Sequence, residues 1–220
     1  MKLVLASGSQ RRRELLTMCG YDYEIIVSNA DETIDENDPE SFVRALSFRK
    51  AKEVFDRLFE AGRRDFAVIG SDTVVAFQKE GGTKPVIIGK PKDAKDAVRI
   101  LSILSGKTHR VFTGVSVIAD IPDENAAAQC SIREKEEIQT ECSITEVTFE
   151  TLSPDEIADY VNSGDPLDKA GSYGIQGPFG MFVREIRGNY FTVIGMPIPV
   201  LYKMLKKIGI LPHGFYERIE

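Results

Sequence analysis

The sequence predicts an α/β fold. Apolar, strand-like runs alternate with amphipathic helical segments along all 220 residues, and glycine, proline or capping residues punctuate the changes. With 42% hydrophobic residues the chain has enough apolar surface to bury a core and fold alone. Residues 2–6 (KLVLA) read as a short buried strand and 10–20 (QRRRELLTMCG) as a helix, with Leu15, Leu16 and Cys19 on one face and Gly20 as its stop. Residues 21–27 (YDYEIIV) read as a second strand. A long amphipathic helix follows over 39–60, opened by Pro39 and carrying Phe42, Leu46, Val54 and Leu58 at near-helical spacing. Residues 66–77 (FAVIGSDTVVAF) form a core strand interrupted by Gly70, Ser71 and Asp72. A strand and turn over 84–93, a helix over 93–104 and a strong strand over 109–120 come next. The polar stretch 120–139 reads as a flexible or hairpin insertion. Residues 142–152 alternate as a strand, and 154–163 read as a helix. The remainder holds a glycine-rich turn at 168–177, strand-like runs at 180–186 and 190–195, and a helix from Pro197.

Charge narrows the partners. The formal net charge is −6, so the whole molecule repels nucleic acid and anionic membranes, and an anion must be met by a local cluster. Cys19, Cys130 and Cys142 lack CxxC spacing and a nearby histidine, which argues against a zinc site and a disulfide framework and points to a reducing interior. No run approaches the roughly 18 apolar residues of a membrane span, and the first residues lack a signal-peptide core. The expectation is a cytoplasmic protein.

The stretch LASGSQRRREL places Arg11, Arg12 and Arg13 in the first turn of a helix, where each cation opposes the macrodipole. A phosphate would reverse that penalty. Free N–H groups, the Ser7 and Ser9 hydroxyls and bidentate arginines then make an anion cradle, although the P-loop pattern is absent. The plainer reading is that Ser9 caps the helix and the arginines extend into water. Asp72 lies inside a run that should be buried, so it needs a metal, a cation or a cleft, unless it closes a turn at a strand end. Gly70 beside it would ease a bulge or a close approach of ligand to backbone. Asp31 and Glu32 could add a carboxylate of the kind that holds Mg²⁺ with water and phosphates. Lys50, Lys52 and Lys90 are candidate phosphate partners, Lys90 being fixed between Gly89 and Pro91. Around Lys169, Tyr173 and Gln176 the glycines permit close approach, and Gln176 can pair with a nucleobase edge. His109 and His213 lack a recognisable nucleophile, which rejects a hydrolase triad. Phe112 and Tyr190 read as core.

Taken in order, LASGSQRRREL, DE, RKAKEV, GSDTVV, GKP, LSGKTHRVFTGV, PLDKAGSYGIQGPFGMFV and GNYFTVIGMPI resemble the Maf family of nucleoside triphosphate pyrophosphatases from residue 3 to about 207. The resemblance implies one domain over 1–208 with a tail at 209–220, and an elongated, mixed, curved sheet flanked by helices. A central cleft would lie between two lobes, as in the inosine triphosphate pyrophosphatases. It implies hydrolysis of a nucleoside triphosphate to the monophosphate and pyrophosphate with a divalent cation, Mg²⁺, Mn²⁺ or Co²⁺. In that scheme water attacks the α-phosphorus in line. Asp72 is the catalytic carboxylate and, with Glu32, the metal partner; Lys90 assists catalysis. Ser7, Ser9, Arg11, Arg12, Lys50 and Lys169 bind substrate. Arg11, Thr73 and Gln176 match the branch that acts on dTTP and UTP, rather than the branch that acts on 7-methyl-GTP. A homodimer is the candidate assembly. The competing reading within the family is a nucleotide-binding regulator of cell division or septum formation with little catalysis. Gln10 and Ser172 depart from the family's usual proline and alanine; Ser172 is expected to add a hydrogen bond in the pocket. Insertions at 81–85 and 119–139 also depart from the pattern.

Overall fold

The computed structural model describes residues 1–78, 81–82, 84–121 and 135–214. Its elements are β1 (Lys2–Leu5), α1 (Gln10–Met18), β2 (Glu24–Ile25), α2 (Pro39–Glu60), β3 (Phe66–Gln78), β4 (Pro85–Ile88), α3 (Ala94–Leu104), β5 (Thr108–Ile121), β6 (Lys135–Phe149), α4 (Pro154–Asn162), β7 (Val183–Arg187), α5 (Tyr190–Ile194) and α6 (Ile198–Lys207). The sheet is mixed, with seven strands in the order β2-β1-β3-β5-β6-β7 and β4 paired to β3. β1 runs parallel to β2 and β3, and every other pairing is antiparallel.

β3 organises the molecule. One edge pairs with β5 over residues 67–76. The other edge is shared: β1 takes residues 66–69 and β4 takes 75–78. Residues 70–74 on that edge have no strand neighbour among the described residues, because β1 has already turned away through Ser7 and Gly8 into α1. Side chains alternate along β3. Phe66 and Val68 pack with Ala51, Val54 and Phe55 of α2, and Val74 and Ala76 pack with Val43 of the same helix. On the opposite face Ala67 and Ile69 join Leu15, Leu16 and Leu201, while Val75 and Phe77 join Ile100, Leu101 and Phe149. Each face thus carries two apolar cores, separated at Gly70–Thr73 by the polar middle of the strand.

α2 lies close on the sheet. A Cβ at Gly70 would stand 2.2 Å from the Ser47 carbonyl oxygen, and one at Gly114 2.2 Å from that of Val43. The close approach that the sequence reserves for a ligand at Gly70 is therefore taken by the helix backbone. α2 begins where the sequence places it, with Pro39 in the first turn and the Asp38 carboxylate accepting from the Ser41 N–H at 2.9 Å.

Four expectations need correction. Residues 21–27 give only a two-residue strand, because Tyr21 turns into the core beside α1 and the Tyr23 hydroxyl donates to the Arg13 carbonyl at 2.8 Å. Residues 190–195 form a helix, not a strand. The Asn189 side chain caps the Phe191 N–H at 2.8 Å, Thr113 donates to the Thr192 carbonyl at 2.7 Å, and Gly195 ends the turn at φ 107°. Tyr190, expected in the core, is 42% exposed. Residues 178–182 form a 3₁₀ turn, so the strand there begins only at Val183. The β5–β6 ladder continues to Ile121↔Lys135, which is the hairpin form of the expected insertion, with 135–139 in its second strand. None of residues 136–139 is fully buried, which removes the alternation that would mark a strand. Residues 122–134, including Cys130, lie outside the described residues. Residues 208–214 run back toward β2, where the His213 N–H donates to the Gly20 carbonyl at 2.7 Å.

His109 is a core residue. It is 2% exposed, its Nε2 lies 2.9 Å from the Tyr173 hydroxyl, and Phe149 packs edge-on against its ring. Burial pulls its pKa down to about 3, and Nδ1 has no partner among the described residues, so protonation would add an orphan donor. The unfolded chain takes up that proton near pH 6.5, so the stabilisation is complete above that pH and is lost as pH falls toward 3. In urea unfolding between pH 6 and 4, wild type should lose roughly 1 kcal/mol per pH unit more than His109→Gln, which keeps a polar partner for Tyr173 without titrating. Equal slopes would refute this.

Candidate active site

A cleft of about 1300 Å³ opens beside the unpaired stretch of β3. The start of α1, the loop holding Glu32, the turn after β4 and the glycine-rich turns at 165–177 supply its walls.

At its centre is an ion triad. Asp72, only 9% exposed, projects from the α2 side of β3. Because Gly70 and Gly114 let α2 sit so low, Lys50 reaches it. Lys50 Nζ lies 2.8 Å from Asp72 Oδ1 and 2.9 Å from Glu32 Oε1. Lys50, expected among the phosphates, is engaged here by two carboxylates. Asp31 does not line the cleft: its side chain accepts from the Thr33 N–H at 2.9 Å and closes its own turn. Lys52 points elsewhere, toward Asp56 and Glu136.

One end of the cleft is cationic. Ser9 occupies the N-cap of α1 but makes no capping bond with its side chain, and no acidic residue lies in the first turn. The first N–H groups of α1 are therefore left to face the cleft. Ser7 accepts from the Ser9 N–H at 3.2 Å and from Arg12 Nη1 at 3.0 Å. Arg12 also donates through Nε to the Gly195 carbonyl at 2.9 Å and through Nη2 to Thr73 at 3.4 Å. Burial draws its guanidinium below the ordinary arginine pKa, while Asp72 pulls the other way. Arg12 thus locks α1 to β3 and to the end of α5, and Thr73 stands behind it, bonded onward to Thr113 at 3.0 Å. Arg11 and Lys90 line the cleft without a hydrogen bond or salt bridge among the described residues. Arg13 turns back to the Gly8 carbonyl at 3.0 Å.

Asp165, Asp168 and Lys169 also line the cleft, and Asp168 lies within electrostatic reach of Arg11. Lys169 Nζ donates to the Asp165 carbonyl at 2.5 Å and to Asp168 Oδ1 at 2.7 Å, and Asp165 Oδ1 lies 3.0 Å from it as an ion pair. Lys169, expected to bind substrate, lines the cleft while held within its own turn. Tyr160 donates to Asp165 at 2.6 Å and accepts from the Gly174 N–H at 3.1 Å, fixing the turn. Exposed Gln176 lines the cleft. Ser172 does not: it is fully buried at φ 60°, and its hydroxyl has no partner among the described residues. The sequence reading missed Asp165, Asp168 and the Gly195 carbonyl. Only the Asp165–Lys169 pair, four positions apart, left a visible signal.

Among the described residues no group of three histidine, cysteine or acidic side chains is placed to hold a metal. Asp72 and Glu32 nonetheless converge on one nitrogen. Two hard oxygen donors, with phosphate oxygens and water completing the shell, suit Mg²⁺ and its relatives.

A mixed α/β sheet whose cleft is cationic at a helix start and carboxylate-bearing at an open strand edge defines an α/β protein built to receive a phosphate-rich small molecule. Residues 2–208 match the Maf-like protein family, and the chain belongs to it. It is 42% identical over 210 residues to a dTTP/UTP pyrophosphatase of Bacillus thuringiensis subsp. konkukian, spanning 95% of this chain and 96% of that one. It is 40% identical over 217 residues to a dTTP/UTP pyrophosphatase of Agathobacter rectalis, spanning 95% and 98%. Among solved structures, the Ham1 protein of Staphylococcus aureus aligns with a TM-score of 0.44 and 14% identity, over 94% of this chain and 99% of that one.

Proposed function

We propose that this protein hydrolyses nucleoside triphosphates, dTTP and UTP foremost, to the monophosphate and pyrophosphate. The observation that carries the reading is the opposition, within one cleft, of Asp72 on the open edge of β3 to the uncapped start of α1. The names of the relatives supply the substrate class.

The α1 amides, Ser7, Ser9, Arg11 and Lys90 receive the phosphates, and Arg12 holds that end of the cleft in shape. Asp72 accepts the proton of the water that attacks the α-phosphorus. Lys90 and Arg11 offset charge on the departing pyrophosphate. Asp72 and Glu32 are the residues that would hold a divalent cation, which when bound supplies further neutralisation of phosphate charge. The nucleoside points toward the 165–177 turns, where exposed Gln176 lines the cleft. Gln176 can offer an amide N–H and a carbonyl to the imide edge of a pyrimidine. Residues 1–208 form the catalytic unit, with 209–220 as its tail. A homodimer working in the cytoplasm fits this reading, and no helix among the described residues is long and apolar enough to cross a membrane.

Pyrophosphate release from a panel of canonical and modified triphosphates, with Mg²⁺, Mn²⁺ or Co²⁺, tests the proposal. Turnover should be fastest with dTTP and UTP. Activity confined to purines would overturn the pyrimidine assignment, and binding without release would favour the regulator of cell division.

A further inference from the structure

We propose that Lys50 is a placeholder for the divalent cation, so that the cation enters only once a polyphosphate draws the lysine ammonium away from Asp72 and Glu32. The inference rests on the hydrolysis reading and adds an order of assembly to it.

The two carboxylates that would hold the cation share one partner, the Lys50 ammonium, at 2.8 and 2.9 Å. Lys50 and Asp72 have side chains only 13% and 12% exposed, so water does little to weaken their attraction. Arg12 stands close enough to interact electrostatically with both Asp72 and Glu32. Two positive and two negative groups balance. A dication arriving alone meets no uncompensated charge and must also evict an ammonium that is well held.

A polyphosphate changes that balance. It brings several negative charges to the start of α1, which lies in the same cleft as Lys50. A lysine stem is flexible and its head is a compact point charge, so Nζ can move from carboxylate to phosphate without any shift of α2. The two carboxylate oxygens are then released together, on the side where phosphate oxygens complete a cation's shell. Coupling of this kind is reciprocal, each ligand tightening the other. The same lysine thereby serves as internal counter-ion before substrate binds and as phosphate ligand afterwards.

Mn²⁺ titration of the full-length protein without nucleotide, followed by electron paramagnetic resonance of the free ion, tests the proposal. Lys50→Met and Lys50→Gln should bind Mn²⁺ about ten-fold more tightly than wild type, or better. Adding Asp72→Asn to Lys50→Met should remove the gain. Equal affinity in wild type and both variants, with circular dichroism showing them folded, overturns the proposal. If neither variant folds, wild type titrated with and without the α,β-methylene analogue of dTTP decides. Uptake of Mn²⁺ beyond what the analogue itself chelates supports the placeholder, and no excess overturns it. Failure of the hydrolysis reading shows separately, as absence of pyrophosphate release from dTTP by wild type.

Discussion

Asp72→Asn should lower kcat for dTTP by about 10²–10⁴-fold while leaving a folded protein that still binds nucleotide. The substitution keeps the size of the side chain and an oxygen that can accept from Lys50, and Glu32 remains 2.9 Å from the same ammonium. What it removes is the proton acceptor and one anionic charge at the open edge of β3. The loss should therefore fall on kcat, with KM changed far less, because the cationic end of the cleft is untouched. Steady-state pyrophosphate release together with a thermal melt separates this from unfolding. Wild-type turnover in a folded Asp72→Asn protein would remove Asp72 from the mechanism.

Gly70→Ala should be strongly destabilising for the addition of a single methyl group. Its Cβ would stand 2.2 Å from the Ser47 carbonyl oxygen and 2.7 Å from the Ala51 amide nitrogen, both backbone atoms of α2. Neither can rotate aside, so the helix must lift or β3 must bend. Overpacking of this kind costs on the order of 3 kcal/mol. Because α2 carries Lys50, a lifted helix also draws the ammonium from Asp72, and activity should fall with stability. Urea unfolding provides the measurement, with Gly89→Ala as the comparison, since nothing lies within 4 Å of a Cβ there. Midpoints that shift equally in the two variants would show that α2 is not seated on Gly70.

How much of this was legible in the sequence depended on whether a signal was local. α2 could be read to its ends, because its proline start and apolar spacing are written in consecutive residues. β3 and β5 stood out as apolar runs long enough to be strands buried on both faces. α5 could not be read. YFTVIG is too short and apolar to favour either structure, and its helical form depends on hydroxyls from Thr113 and Ser143, far away in the chain.

The same division runs through the candidate site. A carboxylate within a buried run marked Asp72, and three arginines at a helix start marked the anion end. The partner of Lys50 was hidden, because it depends on how low α2 crosses the sheet. Gly70 signalled a close approach, but one sequence does not say whether helix or ligand makes it. Lys169 was visible as a cation in a glycine-rich turn. That Asp165 and Asp168 both hold it became apparent only from the fold.

The long strands have a mechanical consequence. β3 and β5 run through all four apolar cores, and α2 through the two on its own face, so the two sides of the cleft share a continuous frame. Rotating one side against the other would have to bend both strands at once, held to each other over ten paired residues. Adjustment to a nucleotide falls most easily to side chains such as Lys50 and to the surrounding loops, because Asp72 and the start of α1 hang from that shared frame. A frame of that stiffness meets the reacting phosphate with its dipoles already in position, and little reorganisation remains to be done when the bond breaks.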